Sequence, residues 1–422
     1  MNRQECTVLD ERDTLAPLRD QFDLPEGVTY LDGNSLGVLP RTAAARVAQV
    51  VKDEWGRDLI RSWNTAGWID MPQRIGNKIG RLIGASDGGA VVADSTSINL
   101  FKVLTAALNL QRADYPERKL IVSERHNFPT DLYIAESLAR ERGLELRLVD
   151  AEEIEQHLTG DLAVLMLTHV NYRTGRMHDM AKLTRMAHKA GALVVWDLAH
   201  SAGAVPVDLT RAEADFAVGC GYKYLNGGPG APAFAWAHPK HTSRMDAGQL
   251  WQPLSGWLGH AAPFEFTPNY RPASGVARFL CGTPPVISMA ALECGVDTVL
   301  AAQPLGGMDA LREKSLALTE LFIELVESRC AGHGLELQTP RERWLRGSQV
   351  SFAREEGGYA IMQALIERGV IGDFRSPDIL RFGFTPLYTR FVDVWNAADQ
   401  LLQVLQSGEW KDAKFNQRAA VT

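Results

Sequence analysis

A lysine that closes an apolar strand is a candidate amine nucleophile, and the turn Gly219-Cys220-Gly221-Tyr222-Lys223-Tyr224 supplies one. In open α/β sheets the carboxyl ends of the strands form the ligand-binding edge. A lysine held there among apolar and aromatic neighbours has its pKa lowered and can attack a carbonyl. Asp197 follows Ala-Leu-Val-Val-Trp and so also ends an apolar run. A carboxylate in that place can pair with a protonated ring nitrogen and make the ring a better electron sink. His200 lies one helical turn further on and could pack on such a ring or bond Asp197. Asp94-Ser95-Thr96-Ser97 stands at a strand-to-helix junction, where hydroxyls and free backbone N–H groups suit a phosphate. His126-Asn127-Phe128-Pro129-Thr130-Asp131 sets an aromatic at a strand end, able to cover one face of a ring.

Taken singly, each feature has an ordinary reading. Lys223 could be a snorkelling surface lysine. Asp197 and the 94–97 stretch could be plain helix caps. His200 could be a satisfied structural group, and Phe128 an aromatic packed beside a proline turn. Together and in this order they supply a phosphate cup, a stacking face, a nitrogen partner and a Schiff-base amine. Pyridoxal phosphate makes all four demands. Competing signatures are missing: there is no G-x-x-x-x-G-K-[ST] and no H-E-x-x-H. The nearest approach to G-x-G-x-x-G, at Gly219, has Tyr224 where the last glycine belongs.

The elements that must position these residues alternate between 85 and 240. Strands are predicted at 88–94, 119–125, 144–150, 162–170, 192–199 and 215–225, with helices at 94–110, 131–143 and 178–191. Strands apolar throughout and separated by helices imply a mostly parallel sheet covered on both faces. A helix from Thr42 puts Val47, Val50, Val51 and Trp55 at helical spacing. The 241–285 stretch, rich in Gly, Pro and aromatics, reads as long surface loops. Helices follow near 286–304 and 308–330, and 335–410 reads as a smaller α+β unit. The expected organisation is an N-terminal segment, 1–50, contributing to a small domain; a large α/β domain, 51–305; and a small C-terminal α+β domain, 306–422.

Composition narrows the class. The 422 residues carry a net charge of −7 without a Lys/Arg-rich run, which disfavours nucleic acid or an anionic membrane as partner. The polar first 20 residues lack the apolar core of a secretory signal, and no apolar run approaches the ~20 residues of a membrane span. The five cysteines, Cys6, Cys220, Cys281, Cys294 and Cys330, are scattered and odd in number, which fits buried thiols in a reducing, cytoplasmic compartment.

Longer stretches carry a resemblance. YLDGNSLG, DSTSINLFKVL, HNFPTDLYI, THVNYRTGRMHDM, WDLAHSAGAVPVDL and GCGYKYLNGGPGAPAF closely resemble kynureninase, a hydrolase of the fold-type I pyridoxal-phosphate superfamily. LSGWLGH, FTPNYRPASGVARFLCGTPP and DFRSPDILRFGFTPLY continue the match, which covers nearly the whole chain in order. The resemblance implies that Lys223 carries the cofactor and Asp197 contacts its pyridine nitrogen. It assigns Thr96, Ser97, Tyr222, Trp251 and Thr283 to the phosphate site, Trp251 and Thr283 coming from the partner subunit of a homodimer. It places Phe128 on the ring, Asp131 and His200 beside it, and Arg375 on the substrate α-carboxylate. Trp63 and Asn64, in RSWNTAGW, resemble part of the substrate pocket. Trp63 stands where some relatives carry His, which leaves kynurenine and its 3-hydroxy form open as substrates. The implied reaction is hydrolysis of L-kynurenine to anthranilate and L-alanine, in tryptophan degradation and NAD biosynthesis, with Tyr222 as an acid–base helper. The rivals are a cysteine desulfurase, which needs a reactive cysteine on a flexible loop where Cys330 only ends a predicted helix, an aminotransferase, and a non-enzymatic cofactor-binding protein.

Overall fold

The computed structural model describes residues 1–248 and 252–417. Seven strands form its main sheet: β2 (Ala90–Ala93), β3 (Leu120–Glu124), β4 (Glu145–Val149), β5 (Leu162–Thr168), β6 (Leu193–Asp197), β7 (Phe216–Gly219) and β8 (Ala233–Ala237), numbered after the short strand β1 (Thr29–Tyr30). Their order is β2-β8-β7-β6-β5-β3-β4. All pairs from β7 to β4 are parallel, and β8 runs antiparallel to both neighbours. The strands are apolar throughout because both faces are covered. Leu162, Leu165 and Leu167 of β5 point into one core, while Ala163, Val164 and Met166 point into the other.

Helices α1 (Arg3–Glu11), α2 (Arg41–Gln49), α3 (Ser62–Thr65) and α4 (Met71–Leu82) precede the sheet. Helices α5 (Thr96–Asp114), α6 (Pro129–Arg142) and α7 (Met180–Lys189) connect its strands, and α8 (Pro239–Asp246) and α9 (Val286–Leu300) follow it. α6 stops at Gly143, whose left-handed backbone caps it. By length and composition alone, the stretch from Val286 to Leu305 could cross a membrane, which the sequence reading did not anticipate. Here α9 is a core helix: it packs on α2 and α4, and a Cβ at Gly295 would come within 2.3 Å of the Leu225 carbonyl.

A second core belongs to the C-terminal part. Helix α10 (Gly307–Arg329), α11 (Gly358–Glu367) and α12 (Phe391–Ser407) cover a small antiparallel sheet of β9 (Glu336–Leu337), β10 (Gln349–Ala353), β12 (Asp373–Arg375) and β13 (Ile379–Gly383), in the order β12-β13-β10-β9. The N-terminal segment is shared between the cores. Cys6 and Leu31 join this second core and β1 pairs with β11 (Val370–Ile371), whereas Leu15, Leu18 and Phe22 join the main one.

Two readings need correction. The helix from Thr42 does not bury Val47, Val50, Val51 and Trp55 as one face. α2 passes into a π-helical turn over Val50–Trp55, which shifts the phase, so Val50 is buried while Val51 and Trp55 are exposed. The 241–285 stretch is not simply surface loop. Its first residues form α8, and Arg278 and Phe279 are buried, with Arg278 paired to Asp246.

Candidate active site

The carboxyl ends of β5, β6 and β7 open, with the start of α5 and α6, onto one cavity of about 370 Å³. Thr96, Ser97, Phe128, Asp131, Asp197, His200, Tyr222 and Lys223 all line it. Lys223 sits in the turn after β7, and its Nζ lies 2.8 Å from His200 Nε2, 5.9 Å from the centre of the Phe128 ring and 5.8 Å from that of Tyr222. Burial lowers the pKa of the Lys223 amine and holds His200 well below the usual histidine range. The imidazole is therefore neutral, and its Nε2 shares a hydrogen bond with the lysine amine.

Asp197, the last residue of β6, is buried and accepts the Ala199 N–H at 2.8 Å. Asp131, in the first turn of α6, is buried beside it. Burial raises both carboxyls, and for Asp131 the neighbouring Asp197 charge adds to the rise. Two buried acids facing each other with so few donors are a site short of positive charge. A protonated ring nitrogen supplies what they lack. The phosphate end is equally well matched. Ser95 caps α5, its hydroxyl accepting from the Ile98 N–H at 3.4 Å, so the hydroxyls of Thr96 and Ser97 remain at the head of a 19-residue helix and face the cavity.

The walls are held from below. Asn127 accepts the Phe128 N–H at 2.6 Å, donates to Ser123 at 3.1 Å and is bonded by the Thr168 hydroxyl, fixing the ring's approach. Pro129 at the first position of α6 sets the turn. Phe128 meets Tyr172 edge-on at 5.3 Å. Asp94 takes a positive φ of 46° and pairs with the fully buried Lys102, which also donates to the Phe279 carbonyl at 2.5 Å.

Within the single chain the other sequence candidates do not line this cavity, although the charge of Arg375 reaches Lys223, His200 and Tyr222. Thr283 is exposed before α9, and Asn64 is exposed in α3. Trp63 packs edge-on between Trp68 and Trp257 at 6.2 and 6.1 Å. Arg375 is on the small sheet, bonded to Asp373 at 2.6 Å and Ser35 at 3.2 Å. Trp251 lies outside the described residues. Conversely, Thr168 and Tyr172 line the cavity without having been singled out, and Asp94, Thr130 and Cys220, named only as members of their motifs, line it too. Thr168 carried the same signal as Asp197, a polar residue closing an apolar strand. Tyr172 carried none, since its place depends on the loop that follows.

The cavity has the make-up of a site for a phosphorylated, ring-nitrogen cofactor with an amine nucleophile beside it. Over its full length the chain is 58% identical to a kynureninase from Pseudomonas fluorescens, covering 99% of that protein. The chain belongs to the kynureninase family. Residues 311–401 also match the family described as the kynureninase C-terminal domain. Among solved structures, an apo cysteine desulfurase from Thermococcus onnurineus NA1 superposes with a TM-score of 0.77 at 18% identity, over 93% of this chain and 98% of that one. A C-DES mutant with glycine covalently linked to its PLP cofactor gives 0.77 at 18% identity, over 91% and 98%. At that identity the likeness is one of fold, and it places this family member on the same α/β architecture.

Proposed function

We propose that this chain hydrolyses L-kynurenine to anthranilate and L-alanine using pyridoxal phosphate. The observation that carries the reading is Lys223 in contact with His200 at the mouth of a cavity floored by two buried acids and headed by a helix N-terminus. Thr96, Ser97 and the first turn of α5 would hold the phosphate, Asp197 the pyridine nitrogen, with Asp131 behind it, and Phe128 one face of the ring. When bound, the cofactor supplies an aldehyde for exchange of amines and a ring that takes up the electron pair released at the substrate Cα.

The chain's own residues do the rest. Burial lowers the pKa of Lys223, which favours the neutral amine, the form able to remove the Cα proton. His200 holds that amine in place from one side. Burial pushes the Tyr222 hydroxyl up, so it stays protonated and can donate to the ketone oxygen as water adds there and the Cβ–Cγ bond breaks. Arg375 would receive the α-carboxylate, for which a guanidinium is suited.

A homodimer with shared sites accords with two adjoining apolar clefts on one side of the molecule, lined by Leu39, Val47, Trp55 and Ile287. In such a dimer Thr283, exposed before α9, would be the residue offered to a neighbouring cavity. The division into a large domain, 51–305, and a small one, 306–422, accords with the two main cores, while 1–50 is divided between them: Cys6 and Leu31 pack in the small one and Leu15, Leu18 and Phe22 in the large one. The free thiols accord with a reducing, cytoplasmic compartment. The desulfurase reading is disfavoured because Cys330 is buried at the end of α10, with burial raising its thiol to about 11.

Purified protein given L-kynurenine should release anthranilate, read by its fluorescence, together with alanine. Sulfide from cysteine with no anthranilate would overturn the reading in favour of the desulfurase. Running 3-hydroxykynurenine in parallel decides the preference at Trp63.

A further inference from the structure

Arg375 and Arg381 both reach toward the same carboxylate, but they are held very differently. Arg381 is buried, and all three of its nitrogens are engaged. Its Nε donates to Asp373 Oδ1 at 2.8 Å, its Nη1 to the Tyr172 carbonyl at 2.6 Å, and its Nη2 to Ser35 Oγ at 2.8 Å and to Asp373 Oδ2. Arg375 keeps 40% of its side chain exposed. Only its Nη2 is engaged, with Asp373 Oδ2 at 2.6 Å and Ser35 Oγ at 3.2 Å, while its Nε is buried with no hydrogen-bond partner among the described residues. Of the two, Arg375 alone combines unengaged nitrogens with exposure, so it is the one able to meet a ligand.

Ser35 stands at the centre. Its hydroxyl donates to Asp373 Oδ2 at 2.8 Å and accepts from both guanidinium groups, which uses its one donor and two acceptor positions completely. The same loop touches the cofactor lysine's backbone. Gly37 N–H donates to the Tyr222 carbonyl at 2.7 Å, and a Cβ at Gly37 would lie 2.5 Å from the Lys223 carbonyl. Tyr30 OH ties the loop down by donating to the Leu36 carbonyl at 2.8 Å. A single residue, Leu36, therefore separates the point that fixes Arg375 from the point that abuts Lys223.

We infer that Ser35, with Asp373 behind it, is a positioning residue that sets the distance and orientation of Arg375 relative to Lys223, and so builds in selectivity for substrates bearing an α-carboxylate next to the reacting amine. This rests on the reading of Arg375 as the carboxylate's partner. Arg381 links the same device to Tyr172 on the cavity wall, so that the loop 32–37, the cavity wall and the small sheet share one buried node. Removing the Ser35 hydroxyl leaves Arg375 its charge and its bond to Asp373 but takes away the second anchor that fixes its direction.

The test compares L-kynurenine with kynuramine, which is kynurenine without its carboxylate, on the cofactor-loaded protein. Binding is read from the cofactor's visible band and turnover from anthranilate release. Ser35→Ala should weaken L-kynurenine binding by about tenfold or more, the scale of one lost charge-assisted hydrogen bond. KM should rise far more than kcat falls, and kynuramine binding should stay within about twofold. Ser35→Thr, which keeps the hydroxyl, should recover most of the loss. Asp373→Asn should act in the same direction, and Ser35→Ala carries the test if that variant does not fold. If Arg375→Ala erases the preference for the carboxylate while Ser35→Ala leaves it whole, the positioning role is overturned and the Arg375 reading stands. If Arg375→Ala keeps the full preference, the Arg375 reading falls and the inference falls with it.

Discussion

Two buried aspartates stand at opposite ends of neighbouring parallel strands, and they live under opposite conditions. Asp215 precedes β7 at the amino end of the sheet and is fully buried. Its two oxygens receive His188 Nε2 and His241 Nε2 at 2.7 Å each, Lys240 Nζ at 2.8 Å and the Val194 N–H at 2.8 Å. Those partners push its carboxyl far below the usual range despite burial. Asp197 ends β6 at the carboxyl end, faces another buried acid and is raised by burial. The same residue type in the same sheet is saturated at one end and left in want at the other. A saturated buried charge holds a structure together, whereas an unsaturated one is a place prepared for something else.

The sharpest way to break this contrast is at Lys223. Lys223→Ala should cut anthranilate formation by at least about 10³-fold, since it removes both the cofactor's anchor and the proton acceptor. Its midpoint in urea should barely move, because among the described residues the lysine's amine bonds only a neutral histidine and forms no ion pair within 4 Å. A variant that is inactive because it is unfolded would place Lys223 with Asp215 instead, as a structural group.

Next in size comes the crossed pair. Asp197→Asn should lower turnover by about 10²-fold or more while leaving stability unchanged or slightly improved, because a neutral amide no longer opposes Asp131. Asp215→Asn should do the reverse. It strands His188, His241 and Lys240 around a neutral group and should cost about 3–5 kcal/mol in urea unfolding, with kcat of the folded protein unchanged. Equal stability losses in the two variants would show that the two ends do not differ in kind.

What the sequence made legible follows the same divide. Lys223 and Asp197 stood out because a polar residue closing an apolar strand is a local pattern, and Thr96 and Ser97 because a helix start is one too. The β5–β7 frame was readable for the same reason. Ser35, Asp373 and Arg381 left no such mark. Ser35 and Arg381 meet across 346 positions, and no periodicity or spacing registers a contact of that range. The Asp215 cluster draws on α7 and α8 from either side of the strand and was equally silent. Val51 and Trp55 were misplaced because helical spacing of apolar residues looks alike whether the face is buried within the chain or left exposed, and a π turn changes which residues share it.

The contrast also has a pH signature of opposite sign at the two ends, smaller than the mutational effects and readable in the cofactor-free protein. Asp215 is depressed in the folded state, so its contribution is fully present above the ordinary carboxylate pKa of about 4 and is lost as pH falls below it. The stability gap between the unmodified protein and Asp215→Asn should therefore close in acid. Asp131 is raised in the folded state, so folding favours its protonated form and its ionisation penalises the fold as pH rises above about 4. Asp131→Asn should be neutral in acid and gain stability toward neutral pH. Urea midpoints at pH 2.5, pH 4 and pH 7.5 for the three proteins decide this: the Asp215→Asn gap should shrink between pH 4 and pH 2.5, the Asp131→Asn gain should grow between pH 4 and pH 7.5, and parallel curves across both intervals would remove the distinction.

The smallest effect tests whether saturation at Asp215 is shared. Lys240 is the most exposed of its three side-chain partners, at 43% against 25% for His188 and 5% for His241. A half-solvated ammonium adds little to a carboxylate already bonded by two imidazoles and a backbone N–H. Lys240→Met should cost no more than about 1 kcal/mol. His241→Asn should cost more, because it opens a donor position where water cannot easily follow. If Lys240→Met proves as damaging as His241→Asn, the clamp depends on net charge rather than on buried hydrogen bonds, and the two ends of the sheet differ in counter-charge alone.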